Sequence, residues 1–175
     1  LGASASPASE NNVVYIARKG ADGQWLHAGT GTIVGPHHVL TARHVTCKQA
    51  GVGGTSLAYK CAEDFAPSTL GIFVGKTKTV EFMREPQLKP AQVVRYDSDP
   101  QFVFSDSQTE DVVLLRFPEN VKLVGQRDYA GAPVYPTVAS SVDVPGAGSK
   151  VRLVGWGQAD DAGAAVVSGH GILLT

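Results

Sequence analysis

The chain has 175 residues, of which 43% are apolar and 18% charged, and its formal net charge is −1 at pH 7. This length fits one domain, or one domain and part of a second. The near-zero net charge gives no electrostatic basis for binding nucleic acid, and no apolar run approaches the roughly 20 residues that cross a bilayer. We therefore expect neither a nucleic-acid partner nor a membrane span.

The N-terminal part predicts a loose arm followed by a β-meander. Residues 1–11 are rich in Ser, Ala, Pro and Asn. Within them Ala3-Ser4-Ala5 fits the end of a cleaved signal peptide, and a disordered terminus or a cloning remnant explains the same residues equally well. Val13–Ala17 is an apolar run of strand length, and a Gly- and Asp-containing turn joins it to a second predicted strand, Gln24–Ala28.

The next segment, Gly29–His44, predicts a hairpin that ends at a histidine. Two β-prone apolar runs, Thr32–Val34 and Val39–Thr41, flank the turn-forming pair Gly35-Pro36. The second strand therefore places His44 just beyond its end.

The rest of the chain alternates between turn-forming segments and short apolar runs. Cys47–Ser68 is rich in small and polar residues and predicts a long surface loop. Residues 119–148 have the Pro, Ala, Gly and Ser content of a connector, and a new strand begins at Lys150. Five strands are predicted between this loop and the connector: Leu70–Val74, Lys78–Phe82, Ala91–Tyr96, Phe102–Phe104 and Val112–Phe117. Because no long segment has helical periodicity, we predict an all-β fold, either a barrel or a sandwich.

Cys47 and Cys61 are the only two cysteines and enclose a loop of about 15 residues close to His44. A disulfide between them would add about 3 kcal/mol of stability in the chain-entropy model and would imply an oxidising compartment, which means secretion or the periplasm. Two buried free thiols are the alternative. Their spacing is a weak zinc signal, so we expect no metal.

Three motifs occur in the order found in one protease family. Thr41–His44 is similar to the Thr-Ala-Ala-His-Cys segment that carries a catalytic histidine, with Arg43 replacing the second Ala and Val45 replacing the Cys. Asp111–Leu115 is similar to Asp-Ile-Ala-Leu-Leu, and Gly155–Gly157 to Gly-Trp-Gly. The chain thus resembles the trypsin-like serine proteases of the chymotrypsin fold, in particular their bacterial members.

The resemblance implies an architecture and a chemistry. It implies a chymotrypsin-like Greek-key fold with a complete N-terminal β-barrel over residues 12–118, a connector over residues 119–148 and the start of a second barrel over residues 149–175. It further implies that His44 is the general base and then the general acid, that Asp111 orients it, and that the substrate is a protein or peptide. No cofactor is implied.

The family's nucleophile segment, Gly-Asp-Ser-Gly-Gly-Pro, is absent from residues 1–175. Since the chain ends at Thr175, 18 residues after Gly157, we expect the serine on the C-terminal remainder of the same polypeptide, and residues 1–175 alone to be inactive. Ser168-Gly169 is a poor substitute because only seven residues follow Ser168.

Two other interpretations remain. One is a protease-derived binding module that has lost its nucleophile, and the other is an unrelated β-barrel with chance matches. In every case we expect the remaining histidines to be turn or surface residues: His27, His37, His38 and His170.

Overall fold

The structure is a computed structural model that describes residues 11–51, 59–74, 86, 88–95, 103–104, 111–137, 146–149, 152–153, 155 and 172–173. Two short 3-10 helices, Arg43–Val45 and Pro67–Thr69, interrupt a succession of strands. In chain order the strands are β1 Val13–Lys19, β2 Trp25–Gly35, β3 His38–Thr41, β4 Cys47–Gly51, β5 Tyr59–Asp64, β6 Leu70–Phe73, β7 Gln92–Arg95, β8 Val103–Phe104, β9 Val113–Arg116, β10 Gln126–Arg127, β11 Pro133–Val134, β12 Arg152–Leu153 and β13 Ile172–Leu173. No helix in these ranges is long and apolar enough to cross a membrane.

The main sheet contains six antiparallel strands in the order β6-β1-β2-β3-β9-β7 and curls into a half-barrel. The predicted strands Gln24–Ala28 and Thr32–Val34 form one continuous strand, β2. The predicted hairpin that joins β2 to β3 is confirmed. An isolated bridge, in which the Ile72 N–H donates to the Leu88 carbonyl at 2.9 Å, links edge strand β6 to the segment that leads into β7. The all-β class is confirmed. A complete barrel with Greek-key connections stays a prediction, and the predicted strand Lys78–Phe82 lies outside the described residues.

The inner face of the curled sheet holds the main apolar core. Its strands bury Val, Ile and Leu side chains, each of which stabilises the fold by roughly 1.5–3 kcal/mol relative to an exposed position. The fully or almost fully buried members are Val14, Ile16, Ile33, Val39, Val45, Leu70, Ile72, Leu115, Phe117 and Leu123. Because Val45 directly follows His44, the histidine turn is attached to this core.

The prediction of a surface loop over Cys47–Ser68 is wrong for half of its length, and residues 52–58 lie outside the described residues. Cys47–Gly51 and Tyr59–Asp64 pair as antiparallel strands β4 and β5, and β8 extends this second sheet. The sequence lacks a strand signal here because a polar ribbon has no alternation of apolar and polar residues. A disulfide joins Cys47 to Cys61, with a Cα–Cα distance of 5.4 Å, so the alternative of two free thiols is not what the structure shows.

The described part of the predicted connector lies against the half-barrel. The Leu123 side chain is fully buried, and its N–H donates to the Pro36 carbonyl at 2.7 Å. β10 and β11 then form a small hairpin. Further along, β12 pairs with β13, and Gly155 lies close to Thr30, whose Oγ1 would be 3.3 Å from a Cβ at Gly155. The predicted domain boundaries remain predictions.

Candidate active site

The position of His44 is set by a tight turn after β3. The chain leaves the sheet at Ala42 and forms the 3-10 helix Arg43–Val45. The Val45 N–H donates to the Ala42 carbonyl at 3.2 Å, and the Arg43 carbonyl accepts hydrogen bonds from both the N–H and the hydroxyl of Thr46, each at 2.9 Å. Because Val45 and Thr46 are buried, the backbone of His44 is held by its neighbours on the C-terminal side.

The position of Asp111 is set by the strand that pairs with β3. β9 runs antiparallel to β3, with Thr41 opposite Val113. In an antiparallel pair, the end of one strand lies beside the start of the other. Asp111, two residues before β9, therefore reaches the same end of the sheet as His44, although the two residues are 67 positions apart in the chain.

Both carboxylate oxygens of Asp111 are bound to His44. Oδ2 lies 2.5 Å from the ring nitrogen Nδ1, and Oδ1 accepts the backbone N–H of His44 at 2.9 Å. The Asp111 side chain is 17% exposed and that of His44 is 37% exposed. Since an ionised carboxylate only accepts hydrogen bonds, we assign the ring proton of the neutral imidazole to Nδ1, which makes Nε2 an acceptor. An imidazole in this state is able to take a proton through Nε2.

The disulfide reinforces the same region. Cys47 lies three residues after His44 and is 3% exposed, and Cys61 is 8% exposed. The bond ties β4 to β5 directly after the histidine turn. Next to it, Lys48 donates to Glu63 at 2.7 Å, and this hydrogen bond, together with the charge of Lys48, lowers the pKa of Glu63.

A cavity of about 560 Å³ lies beside His44, a size in the range of small-ligand sites. β1, β2, the histidine turn and the β4–β5 ribbon all contribute to its wall. The lining includes Arg18, His27, His44, Cys47, Lys48 and Phe65.

The sequence contains no motif that marks most of these residues as part of a site. Arg18 follows the apolar run of β1 and His27 lies in β2, and the pairing of these strands brings the two residues close together. β2 in turn lies against the histidine turn, where Gly29 is close to Val45. His27 is exposed, as predicted for a surface histidine, and its ring lies 4.8 Å from that of Tyr15. The cavity is therefore a product of tertiary structure.

His37 has a structural environment rather than a catalytic one. Its Nδ1 lies 2.8 Å from the Val121 carbonyl oxygen, and its Nε2 lies 3.3 Å from the Glu119 carboxylate. Glu119 also accepts a hydrogen bond from Arg116 at 2.9 Å, which, with the nearby charge of His37, lowers the pKa of Glu119. This contact attaches the connector to the β2–β3 turn.

The structure does not bring a nucleophile to His44 within the part of the chain that it describes. The described residues that line the cavity include no serine, and Ser168, His170 and Trp156 lie outside the described residues. In the described ranges, no cluster of three or more histidine, cysteine or carboxylate side chains is arranged to hold a metal ion.

No protein-family model matches this chain, and no curated protein matches it significantly. Its functional interpretation therefore depends on the geometry of the site and on the order of its motifs.

Proposed function

We propose that this chain carries the histidine and aspartate of a trypsin-like serine endopeptidase, with the serine on a segment outside residues 1–175. The observation that supports the proposal most strongly is the two-point contact of Asp111 with the ring and the backbone of His44. An acid that only paired with a surface histidine would have no need to bind its backbone as well. The finer architecture, a complete Greek-key barrel followed by the start of a second one, is part of the same proposal.

Under this proposal, each residue has a step in peptide-bond hydrolysis. Asp111 keeps the proton of His44 on Nδ1, so that Nε2 takes the proton from the serine hydroxyl as its oxygen attacks the acyl carbon. The Asp111 carboxylate then stabilises the imidazolium, which later gives the proton to the leaving amine. A water molecule repeats the sequence to release the acyl group. No step requires a cofactor.

The proposed location is outside the reducing cytosol, either secreted or periplasmic. The Cys47–Cys61 disulfide supports this, because disulfides persist in oxidising compartments and are rare in the cytosol. The proposed partners are a protein or peptide substrate and the C-terminal remainder of the same polypeptide, which would supply the serine.

The experiment starts with the intact masses of every polypeptide in the purified protein, measured under denaturing conditions with and without reductant. The sample is then treated with a fluorophosphonate probe, which labels activated serines, and is assayed on a fluorescent casein substrate. We expect one labelled serine, found on the C-terminal remainder. We expect His44→Ala to lower turnover by on the order of 10⁶, about 8 kcal/mol, while the protein stays folded.

The matched control is His38→Ala, which removes a half-buried histidine of β3 that is not bonded to Asp111. It should keep labelling and turnover near those of the wild type. If the complete protein contains no labelled serine, or if His44→Ala keeps its turnover, the protease proposal is wrong and the binding module becomes the better interpretation.

A further inference from the structure

The described lining of the cavity beside His44 is rich in basic side chains. Among its lining residues are Arg18, Lys48 and the imidazoles of His27 and His44, and none of the lining residues that the structure describes is a carboxylate. Arginine is charged at all physiological pH values. The wall therefore favours an anionic group over a neutral or cationic one of the same size.

Arg18 is the best placed of these cations. It is half-buried, and its guanidinium carbon lies 5.4 Å from the centre of the Phe65 ring, which also lines the cavity. A cation–π contact with an aromatic ring limits the conformations of the side chain, so less entropy is lost when its planar N–H groups bind a carboxylate. In the described part of the chain, no carboxylate forms an ion pair with Arg18.

The other charges close to the cavity are either paired or outside its described lining. Lys48 is bound to Glu63 at 2.7 Å, so this pair adds little net charge to the rim. The Asp111 carboxylate, which accepts two hydrogen bonds from His44, is not part of the described lining. Burial raises the pKa of Tyr15, which contacts His27, to about 12, so its phenol is neutral at physiological pH. Arg18 is left as the permanently charged side chain of the described lining that has no ion pair.

We infer that this cavity binds the acidic side chain, Asp or Glu, of a polypeptide that lies against His44, and that Arg18 recognises its carboxylate. The identification of that polypeptide as a substrate rests on the proposed function. Under it, the enzyme prefers substrates with an acidic residue close to the bond that it cleaves, and Arg18 determines this specificity. The binding itself needs no nucleophile.

Binding is tested first and independently of proteolysis. The protein, labelled with ¹⁵N and ¹³C, is titrated with two capped peptides, Ala-Ala-Glu-Ala-Ala and Ala-Ala-Gln-Ala-Ala, and the NMR signals of the His27 and His44 rings are followed. We expect the Glu peptide to bind about tenfold more tightly than the Gln peptide, a difference of about 1.4 kcal/mol. Equal affinities, or no binding of either peptide, would overturn the inference.

The key variant is Arg18→Gln, which keeps a long polar side chain and removes the charge. It should bring the affinity ratio of the Glu and Gln peptides close to one. The matched control is Arg116→Gln, which removes an exposed arginine of β9 that pairs with Glu119 and does not line the cavity. If Arg18→Gln keeps the tenfold preference, Arg18 does not recognise the carboxylate.

An activity assay separates this inference from the proposed function. The complete protein is assayed on a peptide series in which Glu or Gln occupies each position around the cleaved bond, and the ratio of kcat/KM values is compared between wild type and Arg18→Gln. If the Glu peptide binds but no peptide is cleaved, the protease proposal fails and the cavity assignment stands. If peptides are cleaved without any preference for Glu, the cavity assignment fails and the protease proposal stands.

Discussion

At the residue scale, Asp111 acts on His44 through two atoms at once. One oxygen holds the ring through Nδ1 and the other holds the backbone N–H. The carboxylate therefore determines both the tautomer of the ring and the position of the turn that carries it. A substitution that changes the contact with Nδ1 and keeps the contact with the backbone N–H would alter the tautomer of the ring without displacing the turn.

Asp111→Asn is such a substitution. Its amide oxygen is able to accept the backbone N–H, but its NH₂ group then faces Nδ1, so Nδ1 must accept and the ring proton moves to Nε2. With Nε2 protonated, His44 is unable to take a proton from a serine. Under the proposed function, we expect turnover of the complete protein to fall by roughly 10⁴ with little change in the circular dichroism spectrum.

The control for Asp111→Asn is Asp22→Asn, which alters an exposed aspartate whose carboxylate accepts only a local backbone hydrogen bond, from Gln24. Turnover of this variant should equal that of the wild type. Unchanged turnover of Asp111→Asn would show that Asp111 does not orient the imidazole.

At the element scale, the site depends on how closely β2 packs against its neighbours. Gly31 lies opposite Thr41 in the β2–β3 register, and the Thr41 hydroxyl donates to the Thr30 carbonyl at 2.8 Å. A Cβ at Gly31 would lie 2.6 Å from Cγ1 of Val39 and 3.0 Å from Cδ1 of Ile16. Because Thr41 precedes the histidine turn by two residues, a displaced β3 would move His44 as well.

We therefore expect Gly31→Ala to lower the free energy of unfolding by about 1–3 kcal/mol, the usual cost of overpacking a core. Urea denaturation measures this change. The matched control is Gly146→Ala, since a Cβ at Gly146 meets no atom of the described residues within 4 Å. Equal stability of the two variants would mean that β2 and β3 do not pack as closely as the structure indicates.

At the scale of the whole molecule, Asn12 joins the start of the half-barrel to the connector. Its side chain is 3% exposed. Its Nδ2 donates to the Val134 carbonyl and its Oδ1 accepts the Gln126 N–H, both at 3.0 Å. These bonds span 122 and 114 positions of sequence, so one amide fastens the β10–β11 hairpin to the N-terminal part of the sheet.

Asn12→Ala should leave the Gln126 N–H and the Val134 carbonyl without these partners, at a cost of about 1–3 kcal/mol. We expect lower thermal stability and faster amide hydrogen exchange at Gln126. Asn120→Ala, at an exposed position, is the control. If exchange at Gln126 is the same in both variants, Asn12 does not hold the hairpin.

The sequence alone determined the all-β class, most strands of the main sheet and the two residues His44 and Asp111 as a candidate pair. Short apolar runs between turn-forming residues are local patterns, and they report local backbone periodicity. The same patterns failed at β4 and β5, where polar residues form a paired ribbon. These two strands have each other as pairing partners and a disulfide between them, but no local apolar pattern.

Only the tertiary structure decided which distant residues meet. The register of β3 with β9 brings Asp111 to His44, and the pairing of β1 with β2 places Arg18 close to His27, with which it lines the cavity beside His44. The first contact was expected only from the family resemblance, and nothing in the sequence indicated the second, because residues far apart in the chain become neighbours through strand order and register, which depend on the packing of the whole sheet.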